Sequence, residues 1–163
     1  MGAGKSRVGR LVAERLDWPF ADLDQRIETA AGMKVAEVFS RWGETYFRDL
    51  EHTCLATTEY DRCAVIATGG GTMATERNRR ILRRLGKSLW LDVPFDVILG
   101  RLSETARQLR PLFRDEAKAR RLYRERLAAY ASSDLKVAVQ EGDQATDVAA
   151  KILDLLRATS CDT

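Results

Sequence analysis

Hydrophobic positions recur along the chain in two alternating patterns. Short apolar runs, typical of buried strands, occur at residues 19–22, 63–67, 88–93 and 135–139. Between them, apolar residues return every three or four positions, which predicts helices at residues 5–16, 24–31, 34–40, 44–60, 75–85, 94–102, 116–130 and 145–158. Strands that alternate with helices indicate an α/β fold, in which a parallel sheet carries helices on both faces.

Composition restricts the class of protein further. With 163 residues, 45% hydrophobic and 31% charged, the chain suits one soluble domain, which we expect to span residues 1–163. It has neither an apolar run of roughly 20 residues nor a secretory signal, so we expect a cytoplasmic protein. Its three cysteines, Cys54, Cys63 and Cys161, lack metal-ligand spacing and are expected to be reduced thiols.

The first residues carry phosphate-binding chemistry. Gly4-Lys5-Ser6 is the end of the pattern G-x-x-x-x-G-K-[ST], whose opening glycine would lie one residue before Met1. Glycines such as Gly2 and Gly4 let backbone N–H groups approach phosphate oxygens at the start of a helix. Lys5 would reach the β- and γ-phosphates of a nucleotide, and Ser6 would bind Mg²⁺. The alternative is a flexible Gly-rich terminus, which the amphipathic helix that follows disfavours.

Two carboxylates close the first predicted strand. Ligands of open α/β sheets bind beyond the carboxyl ends of strands, and strand alternation would put Asp22 and Asp24 on one side. Asp22 would hold Mg²⁺ through water, while Asp24 would accept a hydrogen bond from a substrate hydroxyl and help to remove its proton. The alternative for Asp24 is that it only caps the next helix.

A second group of residues suits an anionic substrate. Arg48 and Glu51 are neighbours on a long predicted helix, either as a local ion pair or as a fixed fork for a carboxylate. Phe39 and Phe47 would form an apolar wall beside them. Three successive glycines at residues 69–71 follow a predicted strand, where a simple tight turn needs only one, so the backbone there is expected to pass close to a ligand.

Basic residues recur between Arg101 and Arg126, a pattern that usually marks a solvated helix face. Arg110-Pro111-Leu112 interrupts this stretch and indicates a mobile loop between helices. The net charge of +3 suits small anions as readily as nucleic acid. Because aromatic residues do not alternate with the basic ones, a nucleic-acid platform is disfavoured.

Together these motifs resemble the shikimate kinase family over essentially the whole chain. The matching elements, in order, are Met1-Gly2-Ala3-Gly4-Lys5-Ser6, Asp22-x-Asp24, Phe47-Arg48-x-x-Glu51, Gly69-Gly70-Gly71, Arg110-Pro111-Leu112 and Arg126 before Tyr130. The resemblance implies transfer of the γ-phosphoryl group of ATP to the 3-hydroxyl of shikimate, giving shikimate 3-phosphate and ADP in aromatic amino acid biosynthesis. It also implies a three-layer α/β/α fold of the P-loop kinase type, with a five-stranded parallel sheet and a mobile lid near residues 103–118.

The resemblance also implies a role for each matching residue. The catalytic positions would be Lys5, Asp24 and Arg110. ATP would contact Gly2, Ala3, Gly4, Lys5, Ser6, Arg7, Arg101 and Arg110, and Mg²⁺ would contact Ser6 and Asp22. Shikimate would contact Asp24, Arg48, Gly69, Gly70, Gly71 and Arg126, with the two arginines binding its carboxylate. We therefore expect a monomer with a small-molecule partner and no nucleic acid or membrane partner.

The chain departs from the family pattern at three places. Arg7 stands where family members commonly have Thr, which adds a cation and removes a hydroxyl beside the phosphates. Residues 140–144 lack the basic or Pro-containing stretch often found near the adenine. The family's first strand, which is interior, is absent, so we expect that Met1 is internal to the natural protein and that about ten residues of strand and Gly precede it. If the short chain is real, we expect weak ATP binding and poor stability.

Two alternative functions stay open at this point. One is another small-molecule P-loop kinase, such as a gluconate kinase, although the ring and carboxylate of shikimate suit the Phe39, Arg48 and glycine set better. The other is an inactive nucleotide-binding relic that serves as an interaction module.

Overall fold

A computed structural model of the chain describes residues 2–58, 63–102, 113 and 115–160. The strands are β1 (Phe20–Asp22), β2 (Val65–Ala67), β3 (Leu89–Asp92) and β4 (Leu135–Ala138). The α-helices are α1 (Lys5–Leu16), α2 (Leu23–Ala31), α3 (Val35–Thr57), α4 (Glu76–Leu85), α5 (Phe95–Gly100), α6 (Glu116–Tyr130) and α7 (Ala145–Ser160), and a 3₁₀ turn spans Thr72–Ala74. This order confirms the predicted alternation of strands and helices.

The strands pair in parallel, as an α/β fold requires. Among the described residues, β1 pairs with β2 and β3 pairs with β4, each as a two-stranded sheet. The chain divides into two compact units, here called the N-terminal unit (Ser6–Gly86) and the C-terminal unit (Met1–Lys5 with Lys87–Thr163). The single domain expected from the sequence stays a prediction.

The core of the N-terminal unit lies between α2 and α3. Leu23 and Ile27 of α2 are fully buried against an apolar cluster to which α3 contributes Val38, Phe47 and Leu55. These residues recur at helical spacing, so each helix presents one apolar stripe to the other. In the same unit α1 lies beside β1, where the guanidinium carbon of Arg10 is 4.7 Å from the centre of the Phe20 ring.

Helix α3 contains a break at Gly43. The sequence predicted two helices, at residues 34–40 and 44–60, and the structure joins them into one element whose backbone is non-helical at this glycine, with φ 77° and ψ −178°. That conformation is essentially restricted to glycine. The break therefore sets the direction of the second half of α3, which carries Arg48 and Glu51.

Helix α2 begins one residue earlier than predicted, which corrects two expectations. Strand β1 ends at Asp22, whose Oδ1 accepts the backbone N–H of Asp24 at 3.0 Å, so Asp22 is the N-cap residue. Asp24 lies in the first helical turn and does not cap the helix. Because the strand has ended, strand alternation does not determine where Asp24 points.

The C-terminal unit is built on β3 and β4. Asp134 joins the beginnings of these strands, since its Oδ2 accepts the Ser88 backbone N–H at 2.7 Å and the Ser88 hydroxyl at 2.6 Å. Helix α7 packs on β4 and supplies buried side chains that include Val148 and Ile152. None of the described helices is long and apolar enough to cross a membrane.

The predicted lid at residues 103–118 falls largely on undescribed residues, and Arg110-Pro111-Leu112 lies outside the described part of the chain. Asp115 caps α6, because its Oδ1 accepts the backbone N–H of Lys118 at 3.0 Å.

Candidate active site

The phosphate-binding motif leads directly into a helix, as predicted. Gly2 and Gly4 have positive φ angles of 61° and 83°, and Lys5 is the first residue of α1. A glycine-rich turn before a helix N-terminus directs backbone N–H groups and the positive end of the helix dipole toward the same place. This local geometry suits a phosphate group.

The side-chain oxygens of Ser6 and Asp22 lie close together. The Ser6 hydroxyl donates to Oδ2 of Asp22 at 2.5 Å, while Oδ1 of the same carboxylate caps α2. Hydroxyl and carboxylate oxygens fit Mg²⁺, which usually takes one or two carboxylates together with substrate phosphates and water. Among the described residues, no group of three or more His, Cys, Asp and Glu residues could form an all-protein metal site.

Arg48 is fixed by two carboxylates on its own helix. Its Nη1 donates to Oε2 of Glu51 at 2.9 Å, and its Nε and Nη2 donate to Oε1 of Glu44 at 3.3 and 3.1 Å. These bonds use three of the five guanidinium N–H groups. The described residues supply no hydrogen-bond partner for the other two, one on Nη1 and one on Nη2. The end of the guanidinium is therefore a positioned two-donor fork.

The fork lies against the glycine segment. A β-carbon built on Gly71 would lie 2.5 Å from Nη1 and 2.6 Å from Nη2 of Arg48, so only a glycine fits here without moving the arginine. A β-carbon built on Gly69 would lie 3.0 Å from Oε1 of Glu51 and 3.3 Å from Oδ1 of Asp24. The structure thus brings together Asp24, Arg48, Gly69 and Gly71, which the sequence predicted to act together.

An aromatic pair borders the same helix. The rings of Phe39 and Phe47 stack with their centres 4.4 Å apart, and the guanidinium carbon of Arg48 lies 5.1 Å from the centre of the Phe47 ring. Phe47 is buried, whereas Phe39 is 37% exposed. The predicted apolar wall therefore exists as a stacked pair with one solvent-facing ring.

Three polar residues around Arg48 were not predicted from the sequence. Glu44 could have been found, because it precedes Arg48 by four positions on a helix. Thr72 and Asn78, which donate to Glu51 at 2.8 and 3.5 Å, lie 21 and 27 positions away along the chain. No local pattern indicates such contacts.

Two predicted site residues, Arg101 and Arg126, have partners within the C-terminal unit. Nη2 of Arg101 donates to the backbone carbonyls of Gln140 and Asp143, both at 3.3 Å. The side chain of Asp143 also forms an ion pair with Lys151 of α7 at 2.7 Å. Burial raises the pKa of Tyr130, and the charge and hydrogen bond of Arg126 oppose this rise.

The phosphate-loop helix, the parallel strands and the carboxylate-flanked arginine define a phosphotransferase of the P-loop kinase class. A family model described as shikimate kinase matches residues 1–157. The shikimate kinase of Brucella canis is 38% identical over 161 residues, which cover 97% of this chain and 79% of the relative. That of Microcystis aeruginosa is 40% identical over 154 residues, covering 94% and 80%.

Solved structures give the same result. Shikimate kinase from Acinetobacter baumannii, in complex with shikimate, matches with a TM-score of 0.90 and 34% identity over 98% of this chain and 89% of that one. Shikimate kinase from Aquifex aeolicus matches with a TM-score of 0.84 and 32% identity over 98% and 94%. This chain belongs to the shikimate kinase family.

Proposed function

We propose that this protein transfers the γ-phosphoryl group of ATP to the 3-hydroxyl of shikimate, giving shikimate 3-phosphate and ADP on the route to aromatic amino acids. The observation that carries the proposal is the fork of Arg48, which Glu44 and Glu51 hold in place while two N–H groups stay available among the described residues. Such a fork binds a carboxylate through two parallel hydrogen bonds. Shikimate carries its carboxylate on a ring that also bears hydroxyls.

Asp24 is proposed to accept the hydrogen bond of the reacting hydroxyl and to take its proton. Its Oδ1 faces Gly69, and the Arg48 fork faces Gly71, two residues further along the same segment. This spacing suits a small ring with a carboxylate on one side and hydroxyls on another. The backbone of residues 69–71 would line the ring because β-carbons are absent where the polar groups converge.

ATP is proposed to bind through its phosphates at residues 2–6, with Lys5 neutralising their charge. Arg7 follows on the exposed side of α1 and would add a second cation. Mg²⁺ fits the oxygen pair of Ser6 and Asp22, and it would supply charge neutralisation of the phosphates when bound. Phosphoryl transfer depends mainly on such positioning and charge stabilisation.

Three assignments from the sequence stay predictions. Arg101 would lie on the adenine side of ATP, Arg110 would approach its phosphates, and Arg126 would provide a second contact to the shikimate carboxylate. A monomeric state and cytoplasmic activity likewise stay predictions.

A coupled assay of ADP release tests the proposal. Shikimate should support turnover by the parent protein, and gluconate should not. Arg48→Lys keeps a charge beside the buried Glu51 but loses the fork, so the KM for shikimate should rise at least about tenfold with little change in the KM for ATP. Asp24→Ala should instead lower kcat, by about 10²-fold or more.

Arg77→Lys is the matched control. Arg77 belongs to the same unit and binds Asp49 at 2.7 Å, outside the proposed site, so its replacement should leave both KM values unchanged. Turnover of gluconate in preference to shikimate would support the alternative kinase. Absence of turnover with either substrate would support an inactive nucleotide-binding protein.

A further inference from the structure

Glu51 is a fully buried acidic side chain with an unusual number of donors. It is 0% exposed, yet Arg48, Thr72 and Asn78 all donate to its carboxylate, at 2.9, 2.8 and 3.5 Å. Burying a carboxylate is costly unless its oxygens are hydrogen-bonded and its charge is paired. Arg48 supplies the charge, while Thr72 and Asn78, themselves 0% exposed, supply neutral donors from two other parts of the unit.

The orientation of the Asn78 amide follows from its neighbours. A carboxylate only accepts hydrogen bonds, so the NH₂ group of Asn78 must face Glu51 and its Oδ1 must face the other way. Oδ1 lies 2.8 Å from Nδ1 of His52, which must therefore carry a proton. The hydrogen bonds therefore run in one direction: His52 donates to Asn78, and Asn78 donates to Glu51, which also binds Arg48.

Glu51 can direct Arg48 only if its own carboxylate is held in one orientation. Thr72 binds Oε1, while Asn78 and Arg48 share Oε2, so the two neutral donors hold both oxygens and fix the plane of the carboxylate. Without them, the carboxylate would be free to rotate about its last torsion, which has a broad preference. The direction of the Arg48 fork would then depend mainly on Glu44, whose side chain is 69% exposed.

We propose that Thr72 and Asn78 are positioning residues for shikimate: they fix Glu51, and Glu51 directs the fork of Arg48 toward the substrate carboxylate. This inference rests on the proposed function. Neither residue needs to touch the substrate. A purely structural role would require only that the two side chains satisfy a buried carboxylate, and it would affect stability without a selective effect on shikimate.

Thr72→Val and Thr58→Val form a matched pair that separates the two roles. Both threonines are 0% exposed in the same unit, but the Thr58 hydroxyl donates to the carbonyl of Leu55 at 2.6 Å, outside this network. Thr72→Val should raise the KM for shikimate about three- to tenfold, with the KM for ATP and kcat little changed; Thr58→Val should leave both KM values unchanged. Equal kinetic effects in the two variants, or none in Thr72→Val, would overturn the proposal.

Asn78→Asp gives an independent readout through pH. The new carboxyl would lie beside Glu51, and like-charge repulsion would raise its pKa. When protonated, it can donate to Glu51 as the amide does; when ionised, it repels Glu51 and disturbs Arg48. The KM of this variant for shikimate should therefore fall toward the parent value as the pH is lowered from about 8 to about 6. A KM ratio of variant to parent that is constant over this range would contradict the positioning role.

Other ionisable groups near residue 78 also affect how the KM depends on pH. The ionisable side chains that the described contacts bring to the network are Asp24 on α2 and four residues of α3, namely Glu44, Arg48, Glu51 and His52. Arg77 and Arg79 flank Asn78 on α4 and bind Asp49 and Glu76 instead. Comparing the KM of parent and variant at each pH removes the titration of the groups that do not contact residue 78. A parent without shikimate-dependent turnover would refute the proposed function, whereas an active parent with unaffected variants would refute only this inference.

Discussion

Gly71 shows most directly how a single atom would affect the site. Its backbone angles, φ −102° and ψ −7°, are open to any residue, so a side chain here would cause no backbone strain. Its β-carbon would instead collide with the end of Arg48, which is a flexible side chain and can move aside. Glycine is therefore required at this position because any larger residue would displace Arg48.

Gly71→Ala should weaken shikimate binding by displacing Arg48. The KM for shikimate should rise by about tenfold or more, and the melting temperature should also fall, because an arginine that moves away leaves the buried Glu51 without its charged partner. Steady-state kinetics and a thermal melt measure the two effects. Gly100→Ala is the control, since a β-carbon there meets no atom within 4 Å. A normal KM in Gly71→Ala would show that Arg48 does not bind the substrate.

Residues that act through neighbours in the chain were predictable from the sequence, and those that act through distant contacts were not. The pair of Arg48 and Glu51 follows from helical spacing. By contrast, Thr72 and Asn78 reach Glu51 only because α4 and the turn before it pack beside α3, a tertiary arrangement that no local pattern encodes. The same holds for Lys151, whose partner Asp143 lies in a loop.

The break in helix α3 determines how the aromatic rings of Phe39 and Phe47 meet. In a straight helix, positions eight residues apart would be about 12 Å apart along the axis. Phe39 and Phe47 are separated by eight positions, yet their rings stack at 4.4 Å. The non-helical backbone at Gly43 makes this contact possible by turning the two halves of α3 toward each other.

Gly43→Ala should therefore destabilise the protein and disturb the wall. A residue with a β-carbon is strained at φ 77° and ψ −178°, at a cost of about 1–3 kcal/mol. We expect a melting temperature lower by about 2–12 °C and a higher KM for shikimate. The matched variant is again Gly100→Ala, which should show neither effect. An unchanged melting temperature would mean that α3 tolerates a side chain at its break.

Two hydrogen bonds to the Glu28 carboxylate hold the turn between α2 and α3. Glu28 accepts the ammonium of Lys34 at 2.8 Å and the backbone N–H of Val35 at 3.1 Å. The hydrogen bond from Lys34 is the main reason that the pKa of Glu28 lies below its ordinary value of 4.5, and partial burial opposes this shift. A lowered pKa means that the ionised form stabilises the fold.

The hydrogen bonds of Glu28 predict how the stability of the fold depends on pH. Their contribution should be fully present above about pH 4.5 and lost as the pH falls through the lower pKa of the folded state. Glu28→Gln should lower the melting temperature by about 1–3 °C at pH 7, and the difference should vanish once the parent carboxyl is protonated. Glu14→Gln, on the exposed side of α1, is the control. A difference that persists in acid would indicate a shape effect of the substitution.

For the whole molecule, the sequence predicted the α/β class and the order of its elements because each element carries its own periodic signal. The predicted strand at residues 88–93 corresponds to Leu89–Asp92, and the predicted helix at residues 116–130 has the same bounds as Glu116–Tyr130. Helix starts were less predictable, as Asp22 shows, because capping depends on where the preceding strand stops. The division into two compact units was not predicted, since no linker composition separates them.

Shikimate binding should also be visible as added stability of the whole chain. A ligand that binds only the folded state at 100 times its Kd adds about 2.7 kcal/mol to the free energy of unfolding. For a chain of this length, that corresponds to a rise in melting temperature of about 5–11 °C. Scanning calorimetry of the parent with shikimate should show this rise. Gluconate, which carries a carboxylate and hydroxyls but no ring, should give a much smaller one.

The same experiment on Arg48→Lys connects this global effect to one side chain. Lysine still neutralises the buried Glu51, so the variant should fold, but it cannot offer two parallel donors to a carboxylate. At the shikimate concentration used for the parent, a tenfold weaker affinity removes about 1.4 kcal/mol of the added stability, so the rise should fall by about half. Equal rises in parent and variant would mean that shikimate binds elsewhere on the chain, because a ligand stabilises the folded state only through the contacts it makes there.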